Sequence, residues 1–162
     1  MPALEGWKHC PRCGAGLAGD LGRLECADCG LVVYANSAPA ACALVVDETG
    51  RVLLTRRRWE PYAGAWDLPG GFLGETEHPV DALHRELAEE TGLTIEPGEF
   101  LGAFLVPYDE RTVLNLVWLA RPTGGEERAA DDVSELRWFA PGELPPLDEI
   151  PMAEPLRAWL AR

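Results

Sequence analysis

The order of apolar runs predicts an α+β fold: a mixed β-sheet flanked by helices, with a small cysteine-rich ribbon ahead of it. Three observations carry this. Short apolar runs of strand length lie on both sides of a single helix-period stretch at Pro79–Thr91. A second helical pattern closes the chain at Ala153–Leu160. Four of the 5 cysteines fall within the first 30 residues. Strands interleaved with helices pack as layers around one core, and a hydrophobic content of 47% in 162 residues is enough to build it.

The ribbon comes first. Cys10-Pro-Arg-Cys13-Gly and Cys26-Ala-Asp-Cys29-Gly repeat one pattern. Two CxxC pairs at this spacing fit four thiolates around one tetrahedral Zn²⁺. The glycines after Cys13 and Cys29 permit tight turns that leave backbone N–H groups free to bond sulfur. Disulfides are the competing reading, and a chain lacking a secretory pattern argues against them. So short a segment cannot bury a sufficient core, so bound metal would supply its folding energy, on the order of 10–16 kcal/mol. The ribbon then acts as a structural cap or dimer element, or it touches a partner. Cys42, inside the apolar run AACALVV, reads as a small buried hydrophobe.

Residues 35–40 read as a linker. Ala41–Val46 and Arg51–Thr55 read as strands joined through DETG as a β-hairpin. Arg56, Arg57 and Arg58 follow, and alternation sends Arg57 to one face and its neighbours to the other. Arg56 and Arg58 are candidate phosphate contacts; the alternative is a solvated strand end. Trp66 stacks on a substrate ring or packs into the core. Phe100–Val106, Thr112–Ala120 and Leu136–Phe139 read as further strands, and Gly124-Gly125 as a turn.

The central stretch, GFLGETEHPVDALHRELAEETGL from Gly71 to Leu93, carries the chemistry. Pro79 suits the first helical turn and Gly92 the position past the helix end. At about 100° per residue, Val80, Leu83 and Leu87 share an apolar stripe, with Glu86, Glu89 and Glu90 clustered beside it. Two like charges about 4 Å apart repel by roughly 4 kcal/mol at an effective dielectric of 20. A hard cation reverses that sign, and carboxylate oxygens suit Mg²⁺ or Mn²⁺. The alternative is a solvated acidic helix face.

The spacing Gly71, Glu77, Arg85-Glu86-Leu87, Glu89-Glu90, Gly92-Leu93 resembles the signature of the Nudix hydrolases at every fixed position. The resemblance spans roughly residues 38–150. It implies an αβα sandwich in residues 38–162, behind a zinc ribbon in residues 1–37. It also implies metal-dependent hydrolysis of a diphosphate joining a nucleoside to another group, by attack of water on phosphorus. In that reading Glu86, Glu89, Glu90 and the Gly70 carbonyl bind Mg²⁺ or Mn²⁺, and Glu77 is a weaker contact. Arg85 orients the glutamates. The general base is Glu89 or an acid of a later loop: Glu126, Glu127, Asp131 or Asp132.

A ribbon joined to such a domain is similar to the NADH and FAD pyrophosphatases. The second NADH-type signature, SQPWPFPxS, is replaced here by FLVPYDERTVLNLVW. Pro107 sits near the proline of ADP-ribose pyrophosphatases. Tyr108, near the tyrosine of dinucleoside polyphosphate hydrolases, is a candidate substrate contact. FAD, ADP-ribose and an NADH-like dinucleotide are the expected substrates. A non-catalytic nucleotide-sensing or partner-binding module is the alternative, and a homodimer is compatible with the resemblance.

Composition bounds the partners. With 14 basic against 27 acidic residues the net charge is −13, which opposes binding to nucleic acid or an anionic membrane. No apolar run reaches 18 residues and the N-terminus has no apolar signal core, so no membrane span and a cytoplasmic location are expected.

Overall fold

The computed structural model of the chain describes residues 4–162. It divides into two compact units. One runs to Ala38 and takes in Pro107–Val113; the other holds Pro39–Val106 and Leu114–Arg162.

In the first unit, β1 (Leu17–Gly19), β2 (Arg23–Cys26) and β3 (Val32–Tyr34) form an antiparallel sheet in that order. Two turns of one design carry the cysteines. The Gly14 N–H bonds the Cys10 carbonyl at 2.8 Å and the Gly30 N–H bonds the Cys26 carbonyl at 2.9 Å. Gly14 and Gly30 adopt φ of 79° and 70°, which only glycine enters without cost.

The second unit is built on β4 (Ala38–Val45), β5 (Val52–Arg57), β6 (Trp66–Asp67), β7 (Gly70–Phe72), α1 (Pro79–Thr91), β8 (Leu93–Tyr108), β9 (Arg111–Gly125), β10 (Val133–Phe139) and α2 (Ala153–Leu160). One sheet has the order β7-β4-β9-β8, the other β10-β5-β6. The first is mixed. β7 is antiparallel to β4. The Cys42 thiol reaches Asn115 and the Val46 N–H bonds the Ala120 carbonyl, so β4 and β9 run the same way. Thr123 reaches Thr94 and Arg121 reaches Glu96, so β8 and β9 run oppositely.

β4 lies at the centre and is buried on both faces. Ala41, Ala43 and Val45 pack with Leu53, Leu83 and Leu87 beneath α1. Cys42 and Leu44 pack with Val117, Met152, Ala153 and Leu156 beneath α2. This is the expected αβα layering. Each fully buried Leu or Val contributes about 1.5–3 kcal/mol of transfer free energy. Among the described residues, no helix is long and apolar enough to cross a membrane.

Three local expectations change. The 41–46/51–55 hairpin is reduced to one bridge, Val46 with Val52, because β4 and β5 enter different sheets. Gly124-Gly125 is the end of β9, not a turn; Gly125 lies so close to the Gly92 carbonyl that a Cβ would collide with it. β8 begins at Leu93, earlier than Phe100, and Pro97 is tolerated within it because the strand lies at the sheet edge. Leu101, Phe104 and Val106 all pack on one cluster, which strict alternation forbids. The break falls at Gly102, with φ of 141°.

Candidate active site

The helix α1 forms where the spacing places it. The His78 side chain accepts from the Val80 N–H at 3.3 Å, Pro79 opens the first turn, and Gly92 closes the helix at φ 72° with its N–H on the Ala88 carbonyl. Leu83 and Leu87 are fully buried, which fixes the helix rotation and turns its glutamates toward the Gly70–Phe72 strand.

The glycines of that strand are there for space. A Cβ on Gly71 would overlap the Glu86 carboxylate. A Cβ on Gly70, at φ 141°, would overlap the Ala41 carbonyl. Close approach of backbone to carboxylate is what the site requires.

Arg85 organises the outer carboxylates. Its Nε and Nη2 fork onto both Glu77 oxygens at 2.8 Å each. Its Nη1 donates to Glu86 at 2.7 Å and Glu89 at 3.1 Å, and Nη2 also donates to the Phe72 carbonyl at 3.2 Å. All five guanidinium N–H groups are thereby used, so Arg85 positions glutamates and has no donor left for substrate. Glu77 is fully engaged: it also accepts the Gly74 N–H, and the Arg85 fork lowers its carboxyl to about 2.

Glu90 is different. It is 5% exposed, and among the described residues its carboxylate has no Arg85 contact; it accepts the Gly70 N–H at 2.9 Å. Burial pushes its carboxyl well up, and Asp132 and Glu86 push the same way, against the pull of the Gly70 N–H. Burial also raises Glu86, opposed by Arg85. Glu89 is half exposed. Among the described residues, the group whose ligand atoms all lie within 4.8 Å of one another is the four cysteines; the glutamates are spread more widely, with Arg85 between three of them.

Of the four loop acids considered from sequence, Asp132 is the one brought to the cluster, with its side chain against Glu90 and near Glu86. The loop is clamped in place. Arg128 and Ala130 donate backbone N–H groups to the Thr91 and Glu90 carbonyls at 2.9 and 3.1 Å. The Glu127 carboxylate instead accepts from the Trp138 indole at 2.8 Å.

The candidate substrate residues have protein partners. Arg58, one candidate phosphate contact, holds the Asp132–Val133 backbone: its N–H bonds the Asp132 carbonyl and its Nη2 the Val133 carbonyl, both at 2.7 Å. Arg56 donates to the Gly64 carbonyl at 3.0 Å and to Glu135 at 3.3 Å. Trp66 packs edge-on against Phe139 at 5.2 Å, with the Arg137 guanidinium 5.3 Å from its ring. Strand pairing of β5 with β10 gives these side chains protein partners that sequence spacing cannot reveal. Tyr108 ends β8 and falls in the first unit.

In the ribbon, Cys10 and Cys29 sulfurs are 3.5 Å apart, and Cys13 and Cys26 sulfurs 3.6 Å. A disulfide needs about 2.05 Å. Four sulfurs about 2.3 Å from one tetrahedral centre lie about 3.8 Å apart, close to the observed spacing. Against the penalty of burial, N–H groups of Arg12 and Cys13 bring the Cys10 thiol down to about 7. The Ala15 N–H acts the same way on Cys13, but neighbouring sulfurs push that thiol up to about 12.

Residues 36–160 match the family model for the NUDIX domain. The chain belongs to the Nudix family. An ADP-ribose pyrophosphatase from Methanocaldococcus jannaschii is 35% identical over 105 residues, 64% of this chain and 62% of that protein. The NAD-capped RNA hydrolase NudC of Deinococcus radiodurans is 32% identical over 148 residues, 86% of this chain and 51% of that one. The chain thus spans less than two thirds of these relatives' length. The crystal structure of a NUDIX hydrolase from Nitrosomonas europaea superposes with a TM-score of 0.80 at 25% identity, covering 95% of this chain and 90% of that one. The Nudix family generally uses Mg²⁺ or Mn²⁺.

Proposed function

We propose that this Nudix chain hydrolyses the diphosphate of a nucleoside diphosphate linked to a second group, with ADP-ribose as the leading substrate and FAD and NADH-like dinucleotides as its rivals. The observation that carries the reading is Glu90: a buried carboxylate beside Asp132 and Glu86, with a neutral N–H as its hydrogen-bond partner. Such a site asks for a cation, and its donors are hard oxygens that fit Mg²⁺ or Mn²⁺. Glu86, Glu89, Glu90 and the Gly70 carbonyl would hold it, with Arg85 and Glu77 positioning the first two. Bound there, the cation polarises the diphosphate and offsets the charge that builds on it. Asp132 takes the proton from the attacking water. Glu89, the other candidate base, has its carboxylate engaged by Arg85 at 3.1 Å.

The likeness to an ADP-ribose pyrophosphatase supports the order of substrates. Cys10, Cys13, Cys26 and Cys29 would hold Zn²⁺, making residues 1–37 a zinc ribbon ahead of a hydrolase domain at 38–162.

The test is a panel of ADP-ribose, FAD, NADH and NAD-capped RNA, incubated with Mg²⁺ or Mn²⁺ and resolved by product. Cleavage to two monophosphates is expected, ADP-ribose fastest. Tight binding without cleavage of any member would favour the sensing module. Preferential cleavage of the capped RNA would overturn the expectation, drawn from the −13 charge, that nucleic acid is excluded.

A further inference from the structure

Asn115 is a buried amide that the carboxylate site does not use. It is 6% exposed and lies on β9, between Val113 and Val117 on the inward face. Its hydrogen bond is a weak one: the Cys42 thiol donates to Oδ1 at 3.4 Å. An asparagine side chain offers two donors and two acceptor sites, and burying them unpaired costs about 1–3 kcal/mol. Yet among the described residues no fully buried side-chain nitrogen or oxygen lacks a partner. Among the described residues' hydrogen bonds the Asn115 side chain has the Cys42 contact alone, so its Nδ2 retains some exposure.

The place of Asn115 is informative. Cys42 is the register partner of Gly70, the residue whose N–H bonds Glu90. Gly70, Cys42 and Asn115 therefore lie on three adjacent strands, so Asn115 is two strand spacings, about 10 Å, from the carboxylate strand. That is beyond hydrogen-bond reach of the diphosphate, about 3 Å, and on the scale of a sugar plus a ring. On this face Cys42 touches Asn115, and Phe104 and Val106 pack against the same apolar cluster as Cys42. An apolar lining with a single convergent amide is how a site holds and orients a planar heterocycle.

We infer that Asn115 is a specificity-determining residue that reads the nucleobase, its Nδ2 donating to an acceptor on the ring edge. The inference rests on the proposed hydrolysis of a nucleoside diphosphate derivative. It is tested with ADP-ribose and with a base-free counterpart, two riboses joined by diphosphate. In wild type, ADP-ribose should be the better substrate. Asn115→Leu keeps the volume and removes the donor; Asn115→Asp keeps an acceptor for the thiol and removes the donor. Either variant should lower kcat/KM for ADP-ribose roughly 10–100-fold, chiefly through KM, and leave the base-free substrate within about twofold. Equal losses on both substrates in a folded variant, or no loss on either, overturn the assignment. Absence of hydrolysis by wild type would instead overturn the proposed reaction. If Asn115→Leu does not fold, Asn115→Asp decides alone.

Discussion

Replacing Glu90 by Gln should move stability and activity in opposite directions. Without metal, the folded chain holds this carboxylate 5% exposed, facing Asp132 and Glu86. Its folded pKa is raised, so the sign is clear. The contribution to stability is full below the ordinary carboxylate range and is lost as pH rises through the raised folded value. At pH 8 the ionised group is therefore a cost. Gln keeps an oxygen for the Gly70 N–H, carries no charge, and can donate to a neighbouring carboxylate. A charge-assisted hydrogen bond is worth about 1.5–3 kcal/mol, and 1 kcal/mol shifts Tm by about 2–4 °C in a chain of this size. The metal-free variant should melt about 3–12 °C higher at pH 8, with the gain vanishing toward pH 4. Mg²⁺, which stabilises wild type by mass action, should stabilise the variant much less. Turnover should fall on the order of 10²–10³-fold, the range for losing a group that stabilises transition-state charge. The assay is thermal unfolding of zinc-loaded protein across pH with and without Mg²⁺, paired with hydrolysis of ADP-ribose. A lower metal-free Tm at pH 8, or unchanged turnover with saturating Mg²⁺, would refute the reasoning.

Three further outcomes follow from other contacts. Gly71→Ala pushes the Glu86 carboxylate aside; kcat should fall roughly 10²-fold, the cost of a 1 Å misplacement, while circular dichroism stays that of wild type. Cys26→Ser removes one of four clustered sulfurs; elemental analysis should find about one zinc per chain in wild type and a substoichiometric amount in the variant, with early proteolysis confined to the ribbon. Asp67 is buried, and burial raises its carboxyl from 3.8 to about 6, so its stabilising contribution is present below pH 4 and lost as pH rises through 6. Asp67→Asn keeps an acceptor for the Leu68 and Met152 N–H groups; denaturation at pH 8 should show a gain on the order of 2–3 kcal/mol, absent at pH 4.

Much of the site is written in one short stretch because a helix is a local structure. Pro79, Gly92 and the Leu83/Leu87 stripe set where α1 begins, ends and faces, and those three facts place Glu86, Glu89 and Glu90 together. The grouping of the four cysteines is legible for the same reason, since each CxxC turn closes within a few residues. Asp132 is not legible as a choice among four acids. It is selected by backbone bonds from residues 128 and 130 to the end of α1 and by Arg58, just past the end of β5, contacts that span up to about 75 residues of chain. The partners of Arg58 and Trp66 are hidden in the sequence for the same reason: Arg58 bonds the Val133 carbonyl and Trp66 packs against Phe139, both on β10. Asn115 leaves one trace, a polar residue at an inward position of TVLNLVWLA, visible once the inward face is known.

What the sequence alone determined is the set of groups: carboxylates at helical spacing, a pair of glycines ahead of them, and four paired thiols. What only the tertiary structure decided is how those groups are divided in use. Arg85 pairs with Glu77, Glu86 and Glu89, while Glu90 is left buried beside Asp132 without an arginine partner among the described residues. Charge density follows from residue spacing, but desolvation and long-range neighbours depend on how distant strands pack, and these select the carboxylate that most needs a metal.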